Sequence, residues 1–164
     1  MKAFAQIIEK ILGAVVGLLM ALMVLDVTWQ VLTRFVLKEP SSYTEELARF
    51  LLVWIGLLGA AYAYRKKAHL GLDILSQKLE GAAKRKLDIF ISIVCMVFAL
   101  VIMIYGGAKL MLLTLELDQM SAALQVKVGY LYSVIPLSGV LIVLFSLDRI
   151  INGDPEPETL EFYE

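Results

Sequence analysis

Four long apolar runs separated by short charged segments dominate the chain, at about residues 7–36, 47–64, 87–117 and 128–147. Crossing a hydrocarbon core takes roughly 20 helical residues, so the pattern predicts an all-α integral membrane protein with four transmembrane helices. The second run is the shortest. The first and third exceed a perpendicular crossing, which predicts tilt, a bend, or helix continuing past the membrane surface. Lys2 and Lys10 precede the first run much as cations precede a secretory signal. The apolar stretch outlasts the ~7–15 residues of a signal core and no small-residue cleavage site closes it, so it reads as a retained first helix. Residues 1–152 then form one membrane domain, and 153–164, containing Asp154-Pro-Glu-Pro-Glu, an acidic tail expected to fray.

Charge placement sets the expected orientation. Arg65, Lys66, Lys67, Lys78, Lys84, Arg85 and Lys86 all fall between the second and third runs. A short loop so rich in Lys and Arg is retained in the cytoplasm. Four crossings then put both termini and the acidic tail in the cytoplasm, with the connections at 38–46 and 118–127 outside. The formal net charge of −1 adds nothing, because placement rather than total charge decides orientation.

Local signals refine the helices. Pro40-Ser41-Ser42 breaks the chain after the first span, and Ser42 with Glu45 three residues on has capping-box spacing, so the second helix is expected to start there. Glu45 and Glu46 then occupy its first turn, where the helix dipole favours negative charge, and Glu45 stands four residues before Arg49, the spacing of a surface ion pair. Gly13 with Gly17, and Gly56 with Ala60, are small pairs that let helices approach closely in lipid. Gly106-Gly107 and Pro136 are expected bend points.

Composition agrees with the pattern: 60% of the 164 residues are hydrophobic and 19% charged, against an apolar share of ~45–50% in soluble domains. The single cysteine, Cys95, cannot form an internal disulfide. One cysteine and one histidine exclude a quinone-linked disulfide oxidase and a bundle holding haem between paired histidines. No phosphate loop, metal-ligand spacing or serine-nucleophile motif occurs. The chain is read as no enzyme, with no catalytic residue, cofactor or metal and no nucleic-acid partner.

One polar feature interrupts the apolar runs. Asp26, Gln30 and Arg34 recur every four residues and share a helix face toward the outer end of the first span. A carboxylate inside an apolar helix is costly and marks a paired buried group, an interfacial placement or an ion pathway. A structural network with other helices or a partner is the favoured reading. Lys109 in the third span either snorkels or joins it. His69 and Asp73, four residues apart beside three cations, read as a cytoplasmic cap or interfacial contact rather than an acid–base pair.

The run Arg34-Phe35, then Thr44-Glu45-Glu46-Leu47-Ala48-Arg49, Trp54, Gly59-Ala60, Arg65 and His69-Leu70-Gly71-Leu72-Asp73 resembles the small membrane subunit of tripartite ATP-independent periplasmic (TRAP) transporters, the DctQ-like family. Length, span number and charge placement fit as well, whereas the third and fourth spans match in hydropathy alone. The resemblance implies a bacterial inner-membrane subunit that serves as a fixed scaffold. Its implied partners are a large elevator-type membrane subunit, a periplasmic substrate-binding protein and membrane lipids. The implied activity is sodium-coupled uptake of organic acids such as C4-dicarboxylates, keto acids or sialic acid. The outer connections are the segments placed to meet the binding protein. Asp26, Gln30, Arg34, Glu45, Glu46, Arg49, Trp54, His69 and Asp73 are the candidate interface or polar-network positions. The competing class is a self-sufficient four-helix proton-coupled antiporter using Asp26. Length and the position of Asp26, displaced outward and followed by Gln30 and Arg34, argue against it. A pure membrane anchor or assembly factor is the third class.

Overall fold

The computed structural model describes residues 2–37, 41–66 and 81–153. His69, Asp73, Lys38, Glu39 and the acidic tail 154–164 lie outside them. Helix α1, Lys2–Leu32, continues through a wider π turn at Thr33–Leu37. Helix α2 is Ser42–Arg65. Helix α3, Gly81–Phe98, passes through a π segment, Ala99–Gly106, into α4, Gly107–Glu116. Helices α5, Val128–Tyr132, and α6, Val134–Asn152, make the last pass. Among the described residues, four stretches are long and apolar enough to cross a membrane: Ala3–Val36, Ser42–Arg65, Ala83–Glu116 and Val128–Asn152. Each coincides with one of the four predicted runs. Most extend beyond them because the helix continues into polar flanks that lipid would reject but water tolerates.

The first span packs along the second, the third along the fourth, and the second joins the two pairs by packing on the fourth. Leu12, Leu58, Ala61, Tyr64, Val134 and Phe145 form the buried core, with Trp54 and Leu19 packed against it. Most other large side chains of the first span, among them Leu18, Leu25 and Trp29, are exposed. For a span in lipid such exposure is the ordinary state.

Two local expectations change. The N-cap of α2 is Ser41 rather than Ser42, and its side chain makes no capping bond. Thr44 Oγ1 donates instead to the Ser41 carbonyl at 3.0 Å, and the Glu45 carboxylate turns to Arg49, so the Ser42–Glu45 box does not form. Gly107, read as a bend point, is a packing site. A Cβ there would stand 2.6 Å from Ile135 Cγ2. The fourth span is interrupted at Ser133, just ahead of Pro136, whose missing N–H leaves the Tyr132 carbonyl without its helical donor.

The glycines divide by use. At Gly139 a Cβ would meet Met103 Cβ at 2.8 Å and the Ala99 carbonyl at 3.3 Å, neither able to swing aside. At Gly13 it would meet the Tyr62 ring at 3.0 Å, so half of the GxxxG packs internally, while Gly17, Gly56 and Gly59 face nothing within 4 Å. Gly139→Ala is therefore expected to separate the third and fourth spans and lower stability by about 1–3 kcal/mol. Gly17→Ala is expected to leave the isolated chain nearly unchanged. Thermal unfolding of both variants in one detergent checks the contrast.

Candidate functional site

The apolar spans leave the polar side chains to two layers, one at each end of the bundle. At the end carrying the chain's Arg65–Lys66 corner, every span contributes a charged group. Arg65, whose side chain is only 5% exposed, donates from Nε to Glu9 at 2.9 Å and from Nη1 to Asp148 at 2.8 Å. Lys66 Nζ lies 2.7 Å from the other Glu9 oxygen. Asn152 donates to the second Asp148 oxygen at 2.6 Å, and Arg149 reaches Asp88 at 3.3 Å. The Arg65 guanidinium also sits over the Phe145 ring, 5.5 Å from its centre, and Tyr64 shares a buried 2.9 Å hydrogen bond with Ser146. Glu9 belongs to the first span, Arg65 to the second, Asp88 to the third and Asp148 to the fourth.

Such buried pairs repay their desolvation only when geometry is good and remaining donors and acceptors are satisfied. Here Arg65 uses two faces of its planar fork and both Asp148 oxygens are occupied. The layer fixes how the helices are set against one another; its net contribution to stability is the smaller effect. Arg85 adds a bond to the Ile150 carbonyl at 2.9 Å, satisfying a backbone acceptor near the end of α6.

The opposite layer is built on Glu46. Its carboxylate, just past the first turn of α2 because the N-cap is Ser41 instead of Ser42, accepts three backbone N–H groups from the loop between the third and fourth spans: Ala122 at 3.1 Å, Ala123 at 2.8 Å and Leu124 at 2.7 Å. Successive N–H groups converging on one carboxylate form an anion nest, here filled from within the chain. The loop is folded to present them. Met120 and Lys127 form an antiparallel bridge, Ser121 N donates to the Val126 carbonyl at 2.9 Å and Val128 N to the Gln119 carbonyl at 2.9 Å. Asp118 and Gln125 take positive φ values of 48° and 56°, the left-handed region that reverses the chain. Asp118 pairs with Lys127 at 2.8 Å; that hydrogen bond and charge hold the Lys127 ammonium above its usual pKa. Outward from this frame, Met120, Gln125 and Val126 are exposed.

Glu46 and Arg65 bracket α2, 19 positions apart in sequence. At 1.5 Å per residue the two polar layers stand ~28 Å apart, close to the ~30 Å of a hydrocarbon core. On the same scale Asp26 stands ~25 Å along the first span from Glu9, near the outer layer rather than at mid-membrane.

The candidate positions from sequence meet different fates. Glu45 and Arg49 form an exposed pair on their own helix. Glu46 bonds across elements. Trp54 is half-buried against the core. Asp26 is 9% exposed and its Oδ2 is buried with no hydrogen-bond partner. Gln30 is half-buried, its carbonyl accepting Thr33 Oγ1 at 3.0 Å, and Arg34 and Lys109 are exposed. Among the described residues, no contact links Asp26 to Gln30, Arg34 or Lys109. Sequence reasoning passed over Glu9, Asp88 and Asp148. The signal was an acidic residue near the cationic end of each of three apolar runs, opposite Arg65. Among the described residues, no group of three or more His, Cys, Asp or Glu side chains is placed to hold a metal ion.

Comparison with known proteins adds a family and its relatives. The model of the DctQ component of tripartite ATP-independent periplasmic transporters matches residues 22–155. The chain is 29% identical over 158 residues to the sialic acid TRAP transporter small permease protein SiaQ of Vibrio cholerae, covering 93% of this chain and 86% of that one. It is 30% identical over 77 residues, 47% of its length, to 12% of the sialic acid TRAP transporter permease protein SiaT of Haemophilus influenzae. Over 118 residues, 68% of its length, it is 28% identical to 18% of the isethionate TRAP transporter permease protein DctMQ of Oleidesulfovibrio alaskensis.

Proposed function

Because the chain belongs to the DctQ component family, the small permease subunits of tripartite ATP-independent periplasmic transporters, we propose that it is the stationary frame on which a large membrane subunit moves its cargo. The observation that carries this reading is the pair of ties at opposite ends of α2, Arg65 to Glu9 and Asp148 at one end and Glu46 to the 122–124 backbone at the other. A bundle held at both polar layers suits a role that requires fixed geometry. The long permease relatives, which this chain matches over only 12% and 18% of their length, support a large membrane partner.

The remaining assignments follow from this role. The Arg65–Lys66 layer faces the bacterial cytoplasm with both termini, and the Glu46 layer faces outward from the inner membrane. The outer loop at 118–127, with Glu45 and Arg49 beside it, helps dock a periplasmic binding protein. The cargo is an organic acid anion taken up with sodium ions; sialic acid and isethionate, named for the relatives, are both of that class. Asp26, Gln30, Arg34 and Trp54, with His69 and Asp73, serve the partner interface or its membrane-level support. No enzymatic chemistry is assigned. The antiporter reading loses ground because Asp26 sits near the outer layer instead of midway along a pathway.

Reconstitution tests the proposal. Proteoliposomes holding this chain and the large subunit, given the binding protein and a sodium gradient, are expected to accumulate labelled substrate, and neither membrane subunit is expected to do so alone. Proton-driven transport by this chain alone would overturn the reading.

A further inference from the structure

The loop between the third and fourth spans turns a thioether outward. Ser121 is buried, its N–H donating to the Val126 carbonyl at 2.9 Å and its Oγ accepting from Val126 N at 3.3 Å. Neighbours along extended backbone point to opposite sides. Met120, bridged to Lys127, is accordingly turned away from this frame and is 47% exposed. The sequence holds seven methionines. Met20 is as exposed, at 49%, but lies in the first span with Met23, while Met96, Met103 and Met111 lie in the third. Among the described residues, Met120 alone stands outside the membrane-spanning stretches. The surrounding medium therefore separates Met120 from Met20. Oxidising a thioether builds a polar S–O bond, which water solvates and hydrocarbon does not.

We propose that Met120 is a site of reversible oxidation by peroxide, and that its sulfoxide weakens the hold of the loop on the binding protein. The inference rests on the docking reading of the 118–127 loop and adds a chemical control to it. A sulfur lone pair of Met120 attacks one oxygen of hydrogen peroxide and the O–O bond breaks. The departing hydroxide takes the proton from the sulfur-bound oxygen and leaves as water. The thioether is oxidised by two electrons and the peroxide is reduced by two. A flexible apolar side chain thereby becomes a polar one. Leu117 and Val126 are the other large apolar side chains exposed along this loop, so the change falls on one of three groups able to make a dry contact. The Glu46 bonds to the 122–124 backbone do not involve this side chain, so the loop keeps its shape while its outward surface changes.

The test uses proteoliposomes holding this chain with the large subunit, treated with hydrogen peroxide and then freed of it before the binding protein is added. Mass spectrometry is expected to find sulfoxide forming at Met120 roughly tenfold faster than at Met20 or Met103. Affinity for the binding protein is expected to fall about fivefold as Met120 is converted. Treatment with the two methionine sulfoxide reductases, one for each epimer, is expected to restore it. Met120→Leu keeps an apolar side chain without sulfur and is expected to bind as the parent does, before and after peroxide. Met120→Gln is expected to bind, untreated, about as weakly as the oxidised parent. Sulfoxide forming at Met20 as fast as at Met120 overturns the proposal. So does an equal loss of affinity in peroxide-treated Met120→Leu, which assigns the effect to another residue. Unchanged affinity of a fully oxidised parent overturns it too and leaves the docking reading intact. Failure of the untreated transporter to bind the binding protein at all sinks both.

Discussion

Replacing Arg65 with alanine is expected to be the most damaging single change in the described structure, lowering stability by about 3–5 kcal/mol. Its side chain is 5% exposed, Asp148 4% and Glu9 16%, so truncation leaves two carboxylates in a poorly solvated layer, one of them almost wholly buried. Glu9 keeps Lys66, so the loss comes mainly from the stranded Asp148 charge, more than from the attraction removed. Removing both ends should therefore hurt less than the sum of the parts. Arg65→Met with Asp148→Leu is expected to recover much of the loss of Arg65→Ala, because apolar side chains of similar size can replace a buried pair. Thermal unfolding in detergent of the two single variants and the double variant measures the coupling. Strict additivity would show that the pair is not felt as a unit.

Glu46→Ala is expected to act locally and to be felt in function. The three N–H groups of Ala122, Ala123 and Leu124 lose their common acceptor, and their hydrogen exchange is expected to quicken roughly tenfold or more while core amides of α2 and α6 stay protected. Glu46→Gln keeps an acceptor oxygen without the full charge and should fall between. Glu45→Ala, which breaks only an exposed pair on one helix turn, is the control, worth at most ~0.5 kcal/mol. Under the docking proposal the binding protein's affinity for the assembled transporter should fall with Glu46→Ala and hold with Glu45→Ala. Equal affinities would leave the loop as a structural tie alone.

These two residues also mark how far sequence reasoning reached. The spans were legible because a bilayer demands unbroken apolar length, a one-dimensional property. The Glu45–Arg49 pair was legible because helical periodicity places partners four apart. Arg65 was read as a topological label and as part of the family resemblance, and not as the centre of an ion-pair layer, since its partners lie 56 and 83 residues away and nothing local announces them. Glu46 was read as a dipole partner of its own helix. Its acceptors' donors are main-chain groups of a distant loop, which carry no residue-type signature. Asp26 was noticed for its cost, but the intramolecular network expected around it is absent from the described contacts. The capping box failed by one position, where Ser41 and Thr44 settle the helix start through a backbone acceptor.

Among the described residues, helix α2 alone carries an anchor of each layer, Arg65 at one end and Glu46 at the other. Hinged at one end only, four rods can scissor; joined at both by a common strut, they behave as a braced truss. Shear that slides the second span past the third and fourth must then bend or stretch α2 between its two ties, and a short helix with its backbone bonds intact resists both. A neighbour sliding along this unit would meet a wall that returns its push instead of yielding to it.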